Sequence, residues 1–275
     1  MTETRSTRAR TLATGTFVRS TKGSQSLERG LALLRAFRTG TLALSNAELA
    51  ERCQLPRPTV SRLTRSLVDA GFLVFDTREK AYRLSAACLS MALAFRTSET
   101  TLQIALPFMR QLAESRQVNV GLAVVDALEV VYLESVRLSR IGAFRRIVSG
   151  SRIPLAETAL GCAWLAGLPE AERRALLARL RSLHGRGWPP LQGQVRDALA
   201  SVRDHGFCRA LWQPGLTSVA TPIRSPSGSL YSLNVSFPIP PSGEDECVQL
   251  HANLLLELAK DIQDELGARN ATRAP

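Results

Sequence analysis

Arginines and short hydroxyl side chains recur between residues 57 and 80 at spacings that suit contacts with a polyanion. A guanidinium group donates in pairs to phosphate or to a guanine edge, and serine or threonine hydroxyls reach phosphates and base edges. These side chains fall on one face of a predicted helix and near the tip of a predicted hairpin. We expect nucleic-acid contacts from Arg57, Thr59, Ser61, Arg62, Arg65, Ser66, Arg78 and Lys80.

Two predicted helices position this face. Ser45 and Glu48 have the capping-box spacing, which predicts that a short helix starts after Ser45. A break at Pro56 precedes a second helix over residues 57–70, which Gly71 ends as a left-handed cap. The apolar side chains of this second helix recur at helical spacing opposite the polar face, at Val60, Leu63, Leu67 and Ala70. Such a helix can lie in the major groove of double-stranded DNA.

A short predicted hairpin strengthens the prediction of a DNA-binding domain. Residues 71–75 and 81–84 are predicted as strands, and the turn between them places Arg78 and Lys80 where a wing would contact the phosphate backbone. Any amphipathic surface helix has a polar face, so the helix pair alone would be weak evidence. With the hairpin, residues 23–84 are predicted as a winged helix-turn-helix domain. The alternative is a signalling or interaction module whose winged helix contacts a protein.

The positive charge of the chain is concentrated on this segment. Residues 1–84 carry 15 Lys and Arg against 7 Asp and Glu, whereas residues 85–275 carry 20 against 17. A basic excess that coincides with a helix-turn-helix is typical of a DNA-binding domain. The preference for arginine over lysine extends along all 275 residues, so genome composition explains it as readily as selection for DNA. This length allows two domains with separate cores.

The composition disfavours several classes of protein. No apolar run approaches the roughly 20 residues that span a bilayer, and the first residues lack the apolar core of a signal peptide. We therefore expect no membrane partner and a cytoplasmic location. The five cysteines and three histidines have no metal-ligand spacing, so neither a metal site nor a cofactor is expected. The cysteines are interpreted as reduced thiols that act as small apolar side chains.

An enzyme is the least supported alternative. His205 precedes Cys208 by three residues, which invites a thiol nucleophile with its base. On an extended segment, however, this offset places the two side chains on opposite faces. No nucleophile elbow, phosphate-binding loop, zinc-protease motif or dinucleotide motif occurs in the sequence. We therefore expect no catalytic residues.

The segments around the hairpin complete the first part of the chain. Residues 1–22 are basic and aperiodic and are predicted as a disordered tail. A helix over residues 26–38 should complete a three-helix core through Leu27, Leu31, Leu34 and Phe37. Residues 85–99 are predicted as an amphipathic linker helix, and such linkers often pack across a dimer.

The remaining residues alternate between helical and strand patterns. Between 100 and 267, helices and antiparallel strands interleave without a βαβ rhythm, so an α+β domain is predicted, followed by a tail over 268–275. Three polar side chains on one face of its last strand would line a ligand site or face water, namely Ser232, Asn234 and Ser236. The expected strands are 118–125, 129–136, 143–148, 207–211, 216–223 and 230–237, with a loop at 150–154. The expected helices include 158–166, 170–183, 192–204 and 247–266.

Three stretches of this sequence resemble the IclR family of bacterial transcription regulators. They are residues 25–34 (QSLERGLALL), residues 58–63 (PTVSRL) with Leu67 and Gly71, and residues 154–166 (PLAETALGCAWLA) with 214–223 (PGLTSVATPI). The resemblance implies a winged helix-turn-helix, a linker helix and a GAF-like effector domain. It further implies a dimer or tetramer that binds a palindromic operator near a catabolic operon. The implied control is by a small metabolite, often an organic or aromatic acid.

The same resemblance implies an effector pocket in the second part of the chain. Its expected lining is Gly142, Arg145, Ala159, Leu160, Arg209, Trp212, Ser218, Asn234 and Ser236. Our hypothesis is that Arg145 or Arg209 pairs with an effector carboxylate. Trp212 would stack on an apolar or aromatic part of the ligand. The chain departs from the family at Ala156 and Cys162, where histidine and lysine are usual, and it lacks acidic residues over 208–212.

Overall fold

Two compact units make up the chain. The structure, a computed structural model, describes residues 8–9, 17–18, 23–138, 147–213, 215–240 and 242–273. The first unit comprises residues 1–98 and the second comprises residues 99–275. No helix among these described residues is long and apolar enough to cross a bilayer.

The described residues of the first unit form four helices and two strand pairs. The helices are α1 (Gln25–Arg35), α2 (Asn46–Cys53), α3 (Arg57–Asp69) and α4 (Ala86–Ser98). The strands are β1 (Arg8–Ala9), β2 (Phe17–Val18), β3 (Leu73–Asp76) and β4 (Ala81–Leu84), paired as β1 with β2 and β3 with β4. The first pair falls in the segment predicted as a disordered tail, whose other residues lie outside the described ranges.

The core of the first unit forms where α1, α2 and α3 meet. Leu33, Leu49 and Val60 are fully buried there, together with Leu63. The predicted stripe on α1 is confirmed only in its second half. Leu34 and Phe37 pack against this core, whereas Leu27 and Leu31 are exposed. Closely spaced leucines allow more than one apolar face on a helix, and contact with α2 and α3 selects the face of Leu33. The core role predicted for Ala70 is also wrong, since Ala70 is exposed at the end of α3.

Local signals fix the turn between α2 and α3. The Ser45 Oγ accepts from the Glu48 amide at 3.3 Å, and the Glu48 carboxylate accepts from the Ser45 amide at 2.8 Å, which confirms the capping box. The bond from the Ser45 amide, together with one from the Ser45 hydroxyl at 2.7 Å, lowers the pKa of Glu48. Pro56 directly precedes α3, and Gly71 follows it with a φ of +77°, a backbone conformation that favours glycine.

The hairpin of β3 and β4 forms the predicted wing. Leu73 pairs with Leu84 and Asp76 pairs with Ala81. The Asp76 carboxylate accepts from the backbone amides of residues 78 and 79, at 3.0 and 3.2 Å, and these bonds lower its pKa. Backbone hydrogen bonds of 2.8 and 2.9 Å between Leu44 and Tyr82 attach the wing to the segment before α2. The wing is therefore held in place relative to α3.

The linker helix α4 has apolar side chains in contact with solvent. None of its residues is buried, although an amphipathic helix was expected. Its exposed large side chains are Leu89, Met91, Leu93 and Phe95. The apolar side chains of α4 are therefore exposed in the described part of the chain.

A six-stranded antiparallel sheet forms the centre of the second unit, in the order β7-β6-β5-β10-β9-β8. Its strands are β5 (Asn119–Asp126), β6 (Glu129–Val136), β7 (Arg152–Pro154), β8 (Cys208–Gln213), β9 (Leu216–Arg224) and β10 (Leu230–Pro238). Its helices are α5 (Thr100–Arg116), α6 (Ala159–Gly167), α7 (Glu170–His184), α8 (Trp188–His205) and α9 (Glu244–Arg273). This arrangement is the predicted α+β architecture.

Helices cover both faces of this sheet. On one face, α5 and α9 pack through residues such as Leu102, Met109 and Leu255 against Leu233 and Val235. On the other face, α6 and α8 pack against residues that alternate with these along the strands. The polar row of β10 therefore lies in a buried layer, and it does not face water.

Several predicted boundaries in the second unit change. A short strand, β7, replaces the loop expected at 150–154, because its backbone pairs with β6. The helix expected from residue 192 begins at Trp188. The last helix continues to Arg273, beyond the domain end predicted at 267. Most of the strand expected at 143–148 lies outside the described residues.

A glycine allows α6 to reach the chain that leads into it. A Cβ on Gly161 would overlap the backbone carbonyl group of Leu155, so no side chain fits between the two segments. Gly193, inside α8, is a natural comparison because a Cβ there would meet nothing within 4 Å.

We predict that Gly161→Ala lowers the free energy of unfolding of the second unit by about 2–3 kcal/mol, since rigid backbone must move to admit the methyl group. Gly193→Ala should raise it by roughly 0.5–1 kcal/mol, the usual gain in a helix interior. Urea unfolding followed by tryptophan fluorescence measures both, because all three tryptophans lie in this unit. Equal stabilisation by the two substitutions would contradict the close approach.

Candidate nucleic-acid interface and ligand site

The predicted contact residues of α3 lie on its solvent face. Val60, Leu63 and Thr64 turn inward, and this burial directs the polar side chains outward. Arg57, Ser61, Arg62, Arg65 and Ser66 are all exposed, and Thr59 is half-buried. The Ser66 hydroxyl donates to the Arg62 carbonyl oxygen at 3.2 Å, which leaves the Ser66 oxygen able to accept a further hydrogen bond.

The cations of this face are not neutralised. Within the described part of the chain, no carboxylate lies within 4 Å of Arg57, Arg62 or Arg65, whereas Arg83 on the wing pairs with Asp76 at 3.0 Å. Unpaired neighbouring arginines repel one another, so this face favours an anionic partner. The start of α3 adds to this field, since no side chain caps it.

The wing adds two cations. Arg78 and Lys80 are exposed in the turn between β3 and β4, and neither has a carboxylate partner among the residues described. The backbone of Lys80 has a left-handed conformation, with a φ of +49°. The hydrogen bonds to Asp76 order the turn that carries both side chains. Helix α3 and the wing thus present all eight predicted residues on one unit, with only Thr59 half-buried.

A second candidate site lies on the buried polar layer of the sheet. Asn234 donates through Nδ2 to the hydroxyls of Ser218 at 2.9 Å and Ser236 at 2.8 Å. The Ser236 hydroxyl also lies 3.2 Å from that of Ser218. These three residues, which were predicted together, form one cluster that bridges β9 and β10.

Two buried atoms beside this cluster lack partners. The Oδ1 of Asn234 and the Oγ of Ser232 have no hydrogen bond in the part of the chain that the structure describes. A buried acceptor without a donor costs about 1–3 kcal/mol. Such atoms mark a place where a ligand hydroxyl or amine would be bound favourably.

The sequence did not predict the residues of β5 and β6 that pack against this cluster. Gly121 on β5 pairs with Asn234, and a Cβ at Gly121 would overlap both the Asn234 amide oxygen and the Tyr132 ring. Tyr132 in turn lies beneath Arg137, whose guanidinium carbon is 5.9 Å from the ring centre. Burial raises the pKa of Tyr132 and lowers that of Arg137. A glycine inside a strand pattern was the available signal of this close approach.

The structure separates Arg209 from the polar cluster. On β8, Arg209 is paired with Val219, whereas its neighbour Ala210 is paired with Ser218. Adjacent strand residues face opposite sides, so Arg209 points towards α9. Its Nη1 there lies 3.2 Å from the carboxylate of residue 245 and 3.6 Å from that of residue 244. Arg209 and Asn234 therefore lie on opposite faces of the sheet, and the pairing of Arg209 with an effector carboxylate stays a prediction.

The other predicted pocket residues divide into two groups. Ala159 and Leu160 begin α6 and are buried on the same face of the sheet as the polar cluster. Trp212 belongs to strand β8. Gly142 and Arg145 lie outside the described residues.

Comparison with known proteins decides the family. The IclR helix-turn-helix domain matches residues 26–77, and the C-terminal domain of the bacterial transcriptional regulator IclR matches residues 96–264. The chain belongs to the IclR family. It is thus a DNA-binding transcription regulator, and the family places its DNA-binding part on the unit that carries α3 and the wing.

Individual family members show the extent of the match. The transcriptional regulator TsaQ1/TsaQ2 of Comamonas testosteroni is 32% identical over 66% of each chain. An IclR-family regulator from Brucella abortus superimposes with a TM-score of 0.81 at 30% identity, over 92% of this chain and 97% of the other. An IclR homologue from Microbacterium hydrocarbonoxydans, solved with 4-hydroxybenzoate, has the same fold, with a TM-score of 0.69 at 24% identity over 89% and 100%.

The two residues that differ from the usual family pattern, Ala156 and Cys162, line the same cavity. A space of about 460 Å³ lies where α6, α8 and β8 come together, and Ala156 and Cys162 both line it. Strand β8, at the edge of the sheet, contributes Arg209 and Ala210 to its lining, whereas Ser218, Asn234 and Ser236 do not line it. The cavity is therefore distinct from the polar cluster.

The thiol alternative has no geometric support. Cys208 is fully buried, and burial raises its pKa well above the usual value. Its Sγ lies 3.4 Å from the Ala159 carbonyl oxygen, whereas His205 is exposed at the end of α8. Burial also raises the pKa of Cys162 to about 12. A protonated, inaccessible thiol is not a nucleophile, in agreement with a family of regulators.

Proposed function

We propose that this regulator binds a palindromic operator as a homo-oligomer and controls a catabolic operon in response to a small organic acid. The observation that carries the DNA part is the unneutralised arginine face of α3, flanked by Arg78 and Lys80. Phosphates would neutralise these cations, and exposed serine hydroxyls would reach base edges. A module that binds a protein through its winged helix would not require so many cations without carboxylate partners.

The oligomer part of the proposal rests on α4. Leu89 and Leu93 lie one helical turn apart and are 62% and 52% exposed. Contiguous apolar surface of this kind usually marks a contact with another molecule. A second copy of α4 would cover it, and a two-fold axis there would pair two α3 helices for the two halves of a palindrome.

The effector part rests on the polar cluster. The Asn234 Oδ1 and the Ser232 Oγ are buried and have no hydrogen-bond partner in the described part of the chain, so a ligand donor would satisfy them. A hydroxylated organic acid supplies such a donor together with a flat apolar body. The fold neighbour that holds 4-hydroxybenzoate makes that acid the first compound to test.

For the DNA interface, we predict that Arg62→Ala/Arg65→Ala weakens binding to the duplex beside the gene at least tenfold. If both arginines hold phosphates, the slope of log affinity against log salt should become shallower by about 1.8, since each phosphate contact contributes about 0.9. Fluorescence anisotropy across a salt series measures both quantities. Arg110→Ala/Arg116→Ala, which removes the same charge from α5, serves as the control. Equal behaviour of the two variants would contradict an α3 interface.

For the effector site, we predict that 4-hydroxybenzoate raises the melting temperature of the second unit and that Asn234→Asp abolishes this shift. The substitution keeps the shape but replaces the Nδ2 donor of the bonds to Ser218 and Ser236 with a carboxylate oxygen. The added negative charge repels the carboxylate of the ligand. Differential scanning fluorimetry measures the shift, with Asn253→Asp on the exposed face of α9 as the matched control. A shift that survives Asn234→Asp would place the ligand elsewhere.

For the oligomer, we predict that Leu89→Glu/Leu93→Glu converts the assembly into smaller species, because two buried carboxylates would face each other across the interface. Light scattering after size-exclusion chromatography measures the mass. Leu183→Glu/Leu250→Glu alters two exposed leucines outside α4 and should leave the mass unchanged. The same mass for all three proteins would exclude α4 as the interface.

A further inference from the structure

A groove separate from both sites lies between α7 and α8. It has a volume of about 1080 Å³, and its lining comes from these two helices and from Ala166 at the end of α6. Neither the polar cluster nor the cavity at Cys162 shares a residue with it. The groove therefore needs an explanation of its own.

Cations line this groove on both sides. Four arginines belong to its lining and no aspartate or glutamate does, the four being Arg173, Arg181, Arg196 and Arg203. The two on α7 are eight residues apart and the two on α8 are seven apart, which corresponds to about 12 and 10.5 Å along a helix. The groove thus has positive charge at two levels separated by two helical turns.

Neighbouring groups hold several of these arginines in place. Arg173 donates to the carbonyl oxygens of Ala166 and Leu168, at 3.4 and 3.3 Å. Arg196 and Arg203 each contact the carboxylate of the following residue, at 3.1 and 2.7 Å, and neither carboxylate lines the groove. The guanidinium groups are thereby partly ordered before any partner arrives.

Apolar and small side chains form the floor between the two charged levels. Leu177, Leu199 and the buried Val195 line the middle of the groove. Gly193 lies inside α8 with open space where its Cβ would be, although glycine is unfavourable in a helix interior. The small residues leave room for another backbone to approach closely.

We propose that this groove binds an acidic amphipathic helix of a partner protein. Carboxylates at positions i and i+7 of such a helix are about 10.5 Å apart and match the two charged levels. Apolar residues at i+3 and i+4 then lie over Leu177 and Leu199, which is the usual helix-in-groove arrangement. Arginine fits this role because its planar donors hold a carboxylate in a fixed orientation.

A second copy of this chain is a poorer occupant. Its exposed acidic helix face is on α9, which carries Glu246, Glu257 and Asp264. Helix α9 covers the sheet face opposite the one that packs against α6 and α8. Pairing α9 of one copy with the groove of another would be head-to-tail and would not close into a symmetric dimer. The charge pattern therefore points to a different protein.

The test uses the full-length protein and a fluorescein-labelled helical peptide of three heptads, with glutamate at one position of each heptad and leucine three and four residues later. A peptide with glutamine in place of each glutamate is the charge control. We expect the acidic peptide to bind at least tenfold more tightly by fluorescence anisotropy. Arg181→Glu/Arg196→Glu should reduce its affinity at least tenfold. Arg174→Glu/Arg179→Glu, on α7 but outside the lining, should change it less than twofold.

A second variant separates shape from charge. Gly193→Leu fills the groove without altering any charge and should also weaken the acidic peptide at least tenfold, while circular dichroism and DNA binding stay unchanged. Equal binding of the two peptides, or binding that survives Arg181→Glu/Arg196→Glu, would overturn the proposal. The proposal would also be overturned if a random 20-base-pair duplex displaced the peptide and Arg181→Glu/Arg196→Glu lost nonspecific DNA binding. The groove would then be a DNA-binding site.

Discussion

The alternation of side chains along the six-stranded sheet is the constraint on which the second unit depends. Because helices cover both faces, each strand residue must suit one of two buried layers. Ser218 and Asn234 share one layer, whereas Arg209 is exposed on the opposite face of the edge strand. A slip of one residue would place leucines and valines of β10 in the polar layer and its serines in the apolar core. The register therefore fixes both the stability of the unit and the membership of its site.

In helix α3, too, each side chain must suit the face on which it lies, but the faces repeat with the helical period and not with the alternation of a strand. Its inward stripe, Val60 and Leu63, joins the core of α1 and α2, and this anchors a face of arginines in solvent. The wing is ordered by hydrogen bonds to Asp76 and by its link to Leu44. Repulsion among the unpaired cations is tolerated because the apolar contacts beneath them supply the stability. An anionic partner removes this repulsion between the arginines when it binds.

The two units manage polar groups in opposite ways. Among the described residues, the first exposes Arg57, Arg62 and Arg65 without carboxylate partners, and the second buries the Asn234 Oδ1 and the Ser232 Oγ without hydrogen bonds. Both arrangements lower the stability of the free protein locally. Such local costs are expected where a protein binds something else, because the bound partner removes them.

The sequence by itself determined the features that depend on neighbours along the chain. Capping at Ser45, the end of α3 at Gly71, the hairpin turns and the polar face of α3 follow from local backbone preferences and helical period. The order of helical and strand patterns predicted the α+β class, and the family resemblance implied the GAF-like domain. Tertiary structure decided the face of α1 that is buried, the position of Arg209 and the close packing at Gly121. These depend on which segments meet across the fold. Several faces of one leucine-rich helix satisfy the same local rules, and an edge strand paired to its neighbour can turn an arginine to either side, so only the assembled core selects among them.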